Sequence, residues 1–382
     1  MMRGAPLYNS RHKNISGSRG RLETPALVLD ADAFEANATR LAALAQARGI
    51  GLRPHAKSHK CAAIARRQLD LGACGIACAK PGELLALFEA GIQRLMLTAP
   101  LFHPAKIDRL ADAAASGADL LVVIDRPDLV AAYGSAARRA GATIKVLLDC
   151  DTGLGRTGVD TGEAAIVLAR AVVWEEGLSY CGLQAYAGHV QHIHDFAERR
   201  RANDVANGRL ARIIDALTVE GLSPEIVSGG GTGSHLLDLN AGLLTELQVG
   251  SYIFMDEGYQ PVDFDGTGDA VFQTSLFVAV TVVAHSAAGA AITDAGSKSF
   301  AVDGPQPRAF LDGKEIGRIV WVGDEFGRLI PNDGVAVPPA GTLLECTVPH
   351  CDPTLNLHDY VHVVRGDVLE DIWPIEARGR AD

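Results

Sequence analysis

The sequence predicts an α/β fold, a (β/α)8 TIM barrel followed by a smaller, mainly antiparallel C-terminal β domain, on three observations. From Thr24 to about Asp265 short apolar runs alternate with helix-period segments, the sign of a parallel sheet with crossover helices. Beyond Asp265 the helical period stops, and β-rich runs are separated by Gly, Pro and Asp turns. The chain of 382 residues, 48% apolar and 21% charged, can bury a large core and is too ordinary in composition for a disordered or fibrous protein.

Residues 1–22 carry Arg3, Arg11, Lys13, Arg19 and Arg21 but lack the roughly 7 to 15 residue apolar core of an export signal. Gly4, Pro6, Gly17 and Gly20 argue against a basic amphipathic helix, so the segment reads as a flexible tail. Candidate strands follow at 26–29, 51–53, 75–78, 95–98, 120–124, 144–148, 182–186, 225–227 and 246–249. Between the first two, 31–48 places Phe34, Leu41 and Leu44 at helical spacing and stops at Gly49. These candidates exceed by one the eight strands of a closed barrel, and the first is the one expected to belong elsewhere. Further β runs lie at 275–283, 291–294, 319–322, 342–348 and 360–364. The expected organisation is a strand at 23–30, a barrel over 31–265 and a β domain over 266–382.

Thirty-five Lys and Arg against 46 Asp and Glu give a net charge of −11, which repels phosphate backbones and anionic membrane surfaces. Nucleic acid and membrane are not expected partners. No apolar run reaches the roughly 18 to 20 residues of a membrane span. Seven cysteines without a CxxC pair suit reduced thiols in a cytoplasm.

Several clusters carry candidate chemistry. Residues 53–60, Arg-Pro-His-Ala-Lys-Ser-His-Lys, follow a short strand at the expected catalytic rim. A lysine among cations has its ammonium form disfavoured and becomes a better nucleophile toward an aldehyde; the same residues also suit a solvated basic loop. Residues 228–234, Ser-Gly-Gly-Gly-Thr-Gly-Ser, follow a late strand, and their backbone N–H groups suit a phosphate. A flexible turn is the alternative. In His350-Cys351-Asp352-Pro353, an extended backbone puts His350 and Asp352 on one side as a pair for a divalent cation, unless the segment is an ordinary turn. Gln184, Tyr186, His189, Gln191, His192 and His194 follow another strand, and Asp149, Asp151 and Arg156 another.

On these residues the chain resembles the D-threonine aldolase and D-serine dehydratase-like family of fold-type III pyridoxal-phosphate enzymes, related in architecture to alanine racemase. The likeness runs from Thr24-Pro25-Ala26-Leu27-Val28-Leu29-Asp30 through 53–60, 149–158, 184–186, the glycine run and 248–256 to His350-Cys351-Asp352-Pro353-Thr354. It implies that the opening strand joins the C-terminal β domain, and that Lys57 is the residue bonded to pyridoxal 5′-phosphate, with Lys60 a nearby cation. It implies further that Gly230, Gly231, Thr232, Gly233, Ser251 and Tyr252 hold the phosphate, Arg156 meets the pyridine nitrogen and Tyr186 lines the ring. His350 and Asp352 are implied ligands of a divalent metal, Mn2+ first among Mn2+, Mg2+, Co2+ and Zn2+. His192 is the implied base or orienter of metal-bound water.

An arginine at the pyridine nitrogen weakens the ring as an electron sink, so the metal becomes the expected helper. The implied reaction is retro-aldol cleavage of a small D-β-hydroxy-α-amino acid to glycine and an aldehyde by a homodimer. The alternatives are the same cleavage of 3-hydroxyaspartate, dehydration of D-serine or hydroxyaspartate, and a non-catalytic cofactor-binding module.

Overall fold

The structure, a computed structural model, describes residues 8–382. Its chain divides into two compact units, each discontinuous in sequence. One takes the described residues up to Ala38 with Ser251–Pro261 and Phe272–Gly379; the other takes Thr39–Gly250 with Val262–Val271 and Arg380–Asp382.

The chain therefore changes unit several times, where changes only near 30 and near 265 were expected. Backbone hydrogen bonds give the reason. Glu257 N–H donates to Val348 O and Ser275 N–H to Phe254 O, tying 251–261 to the β unit. Asp263 N–H donates to His194 O, and Arg199 donates to Asp263 O, tying 262–271 to the barrel.

Strand β1 (Ala26–Asp30) and helix α1 (Ala31–Gln46) come first. The barrel follows as β2 (Gly51–Leu52), α2 (Ala62–Asp70), β3 (Ile76–Cys78), α3 (Pro81–Glu89), β4 (Arg94–Leu97), α4 (Pro104–Ala115), β5 (Asp119–Ile124) and α5 (Pro127–Ala140). It continues with β6 (Ile144–Cys150), α6 (Gly162–Trp174), β7 (Leu178–Ala185), α7 (Phe196–Val219), β8 (Ile226–Gly229), α8 (His235–Ala241) and β9 (Glu246–Leu247). Pro81, Pro104 and Pro127 open α3, α4 and α5, where a missing N–H is harmless and the fixed φ is already helical. Thr161 and Asp195 cap α6 and α7 by accepting from Ala164 N–H and Glu198 N–H.

The eight parallel strands run β2-β9-β8-β7-β6-β5-β4-β3, and the ring closes through a bridge between His55 and Ala77. Strands covered on both faces need continuous apolar runs, and Leu120–Ile124 is buried throughout. Met96, Leu121, Val123 and Leu147 pack together. At the β2–β9 seam Arg53 Nε donates to Glu246 Oε1 at 2.6 Å and its second nitrogen to Oε2 at 2.9 Å, both side chains buried.

In the other unit β10 (Leu276–His285), β11 (Ala291–Thr293), β12 (Arg308–Leu311), β13 (Lys314–Trp321), β14 (Gly327–Pro331), β15 (Leu343–Thr347), β16 (Tyr360–Arg365) and β17 (Val368–Pro374) form a sheet ordered β11-β14-β13-β12-β15-β10-β1-β16-β17. A further β10–β11 pairing closes part of it into a barrel-like sheet. The opening strand β1 lies inside this sheet, antiparallel to β10 and parallel to β16, as the resemblance implied. Its run Ala26–Leu29 is wholly buried, with Ala26 and Val28 packed against Leu22, Ala279, Val364, Leu369 and Ile372.

Of the segment expected as a flexible tail, residues 1–7 lie outside the described residues, and the rest is held down. Arg19 bonds both Glu345 oxygens, at 2.7 and 2.9 Å, and Asp30 at 3.0 Å. Asn14 N–H donates to Leu369 O and Arg19 N–H to Asp367 O. Of its basic residues, Arg11 pairs with Glu23, Lys13 with Asp371 and Arg19 with Asp30 and Glu345.

Candidate active site

The C-terminal ends of the barrel strands border a cavity of about 310 Å3 that brings Lys57, Arg156 and Tyr186 together with His55, Lys80 and Gln184. Lys57 sits on a short 3-10 turn, Ala56–Ser58, directly after β2. The turn is held by His55, whose Nδ1 accepts from Lys57 N–H at 3.3 Å while its Nε2 meets Thr98 Oγ1 at 3.0 Å. Thr98 Oγ1 donates to Cys78 O, so it accepts from His55, and the ring is the neutral Nε2–H tautomer.

Lys60, the cation expected near Lys57, is paired. Its ammonium donates to Glu83 at 2.8 Å, and Glu83 is fully buried at the start of α3. The positive charge of residues 53–60 is thus answered twice, by Glu83 and by Glu246.

Below the cavity runs a polar chain across the barrel. Gln248 donates to Ser228 Oγ and Gln184 Oε1; Gln184 donates to Thr98 O and Asp149 Oδ1; Thr157 donates to Asp149 Oδ2 at 2.6 Å. Burial raises the pKa of the Asp149 carboxyl, and these donors and Arg156 oppose it. The Thr157 bond pins the loop carrying Arg156, whose guanidinium lies 5.5 Å from the centre of the Tyr186 ring.

The glycine run ends β8. Residues 227–235 are all buried, and Gly230 has φ +69°, which favours glycine. Gln191 Oε1 accepts from Gly233 N–H at 2.9 Å and Ser234 N–H at 3.2 Å, and its amide donates to Ser234 Oγ. Ser234 Oγ donates to Asp238 Oδ2 at 2.6 Å, and Asn203 donates to Oδ1 at 3.0 Å. A Cβ on Gly233 would collide with the Gln191 carbonyl. Gly233 therefore serves packing, and its N–H is already taken. Among the described residues no acceptor meets the N–H of Gly230 or Gly231.

His192 is exposed on the turn after β7 and is not among the residues lining the cavity. Ser251 and Tyr252 begin a buried 3-10 turn of the β unit, with Tyr252 edge-on to Phe272 at 5.8 Å.

The metal pair departs from its expected geometry. Residues 351–355 form the short helix α9 (Cys351–Leu355) with His350 at its N-cap, so Asp352 lies in a helical first turn and not two residues along a strand. Pro353 is tolerated there because first-turn N–H groups have no helical partner. His350 Nδ1 meets Asp303 Oδ2 at 2.9 Å; Cys351, fully buried, gives its N–H to Asp256.

Sequence reasoning missed Thr98 and Lys80, and it gave no role to His55, Gln191 or Gln248, which its clusters contained. All stand at or just beyond the C-terminal ends of barrel strands, a position that could have found them.

The comparisons bear on the fold and the family. The profile for alanine racemase, N-terminal domain, matches residues 29–258, and that for a putative serine dehydratase domain matches 275–364. The chain is 37% identical over 364 residues to 3-hydroxy-D-aspartate aldolase of Paracoccus denitrificans (strain Pd 1222), covering 94% of this chain and 93% of that protein. It is 40% identical over 359 residues to D-threonine aldolase of an Arthrobacter species, with the same coverage. The crystal structure of D-threonine aldolase from Filomicrobium marinum superposes with a TM-score of 0.91 at 38% identity, covering 95% of this chain and 98% of that one. The barrel and its site thus define an alanine racemase-like fold of the fold-type III class. The chain belongs, within that class, to the family of D-threonine aldolases and 3-hydroxy-D-aspartate aldolases.

Membership implies pyridoxal 5′-phosphate, and the barrel unit fits it. A buried glycine cradle offers unmatched N–H groups to an anion, and the cavity presents an amine, a guanidinium and an aromatic ring. For the metal, no group of three or more His, Cys, Asp or Glu side chains gathers among the described residues. By donor chemistry alone, the imidazole of His350 and the carboxylate of Asp352 suit a divalent ion completed by water, and Asp303 Oδ2 holds the His350 ring through Nδ1. Among the described residues no helix is long and apolar enough to cross a membrane.

Proposed function

We propose that the protein is a pyridoxal-phosphate- and metal-dependent carbon–carbon lyase that cleaves D-threonine and related D-β-hydroxy-α-amino acids to glycine and an aldehyde. The observation that carries the reading is the cavity that gathers the Lys57 amine, the Arg156 guanidinium and the Tyr186 ring at the barrel's catalytic rim. The two curated aldolases, at 37% and 40% identity, support the reaction class. We further assign a homodimer in the cytoplasm, with Mn2+ as the first metal to test.

Bound at this cavity, pyridoxal phosphate supplies an electron-withdrawing ring that takes up the electron pair of a broken bond at Cα. Lys57 Nζ would hold the cofactor through its aldehyde carbon and is the group placed to carry a proton to Cα. His55 holds the Lys57 backbone, so the amine emerges from a fixed turn. Arg156 would meet the pyridine nitrogen, Tyr186 would support the ring, and Gly230, Gly231 and Thr232 with Ser251 and Tyr252 would hold the phosphate, Gly233 shaping the loop. A divalent ion held by His350 and Asp352 supplies a Lewis acid for a hydroxyl group. His192 is assigned the base or the orientation of metal-bound water.

D-threonine, D-serine and 3-hydroxyaspartate are incubated side by side with the holoenzyme, with metal and with EDTA, and the products identified. Glycine and acetaldehyde from D-threonine, abolished by EDTA, are expected. Ammonia and a 2-oxo acid in place of glycine would show dehydration and overturn the reading. Glycine and glyoxylate from 3-hydroxyaspartate alone would select the second reading, which the Paracoccus relative supports.

A further inference from the structure

We propose that Lys80 receives the α-carboxylate of the amino-acid substrate, an inference that rests on the reaction class above. Lys80 stands just beyond β3, exposed, and borders the same cavity as Lys57. Nearby cations are engaged: Lys60 with Glu83, Arg53 with Glu246, Arg156 against the Tyr186 ring. Among the described residues no carboxylate or carbonyl meets the Lys80 ammonium.

Strand order decides which anion it serves. β3 adjoins the extension of β2 through the His55–Ala77 bridge, so Lys80 and Lys57 leave neighbouring positions of the rim. The glycine cradle follows β8, beyond both β2 and β9 on that side of the ring. A cation so placed attends the amine end of the ligand, not its phosphate end. The carboxylate is carried by the carbon that bears the amine, and a second carboxylate would lie further along the chain. Fixing the α-carboxylate also fixes rotation about the N–Cα bond.

The holoenzyme variants Lys80→Met and Lys80→Arg are titrated with glycine, followed by the change in cofactor absorbance. Lys80→Met is expected to weaken glycine binding about 10- to 100-fold, the measure of a charge-assisted hydrogen bond, with the absorbance before titration unchanged. Lys80→Arg should recover most of it. Glycinamide, which lacks the carboxylate, should bind wild type and Lys80→Met alike. Unchanged glycine affinity in Lys80→Met overturns the proposal, including the case where only 3-hydroxyaspartate turnover falls. Loss of the cofactor itself from both variants also overturns it, by making Lys80 a cofactor residue. A wild type that binds glycine but cleaves none of the three amino acids refutes the reaction class and leaves the Lys80 result to stand on its own.

Discussion

Asp238 is an acid placed where ionisation is costly. Burial behind the glycine cradle raises its pKa to about 6, against hydrogen bonds from Ser234 and Asn203 that favour the charge. The unfolded carboxyl titrates near 3.8, so between these values the native state holds the extra proton and stability falls as pH rises. Asp238→Asn should flatten that slope, removing about 2 to 3 kcal/mol of the stability difference between pH 4 and pH 7. Urea midpoints at the two pH values measure it, and a slope equal to wild type rejects the assignment. Single residues differed in how far the sequence exposed them. Lys57 and Arg156 were legible because they occupy loops after strands, where barrel chemistry collects. The pairing of Lys60 was not legible, because its partner Glu83 lies 23 residues away on another element, and charge answered at that distance leaves no local mark.

Among elements, β2 and β9 are two residues each and close the barrel on few ladder hydrogen bonds. The buried Arg53–Glu246 pair spans their seam, and Cys74 Sγ adds a contact to Glu246 at 3.2 Å, its own thiol pushed up to about 12 by burial first and Glu246 second. Arg53→Met should cost about 3 to 5 kcal/mol, because it strands a buried carboxylate, whereas Arg53→Met with Glu246→Leu should recover most of the loss. Thermal unfolding of the three proteins checks it, and a double variant as weak as the single one would reject the account. Most barrel strands were readable because burial on both faces demands apolar runs. β12, β14 and β17 were not: β12 is four residues, β14 runs from Gly327 to Pro331, and β17 carries Glu370 and Asp371 in its middle. The helical first turn at Asp352 was hidden by a proline that reads as a breaker except at a helix start.

For the molecule as a whole, the implied cofactor and the implied metal pair draw on different chemistry and should be separable. Lys57→Ala should lose the absorbance of the covalently bound cofactor while retaining metal by elemental analysis. Asp352→Ala should do the reverse and lose EDTA-sensitive turnover with it. Metal content unchanged in Asp352→Ala would remove that residue as a ligand. The overall plan was legible from the change of rhythm near residue 265, but the interleaving of the two units was not. It depends on ties such as Glu257 to Val348 and Asp263 to His194, which join residues scores of positions apart.

The placement of β1 bears on how the protein is made. Its partners β10 and β16 begin at Leu276 and Tyr360, so a chain emerging from the ribosome completes every barrel strand before Ala26–Leu29 can be sheltered. Throughout that interval an apolar stretch with two open edges is presented to the cell, the condition under which nascent chains need holding. Termination before Tyr360 would leave one of those edges bare for good, which makes the far end of the gene a guardian of its beginning.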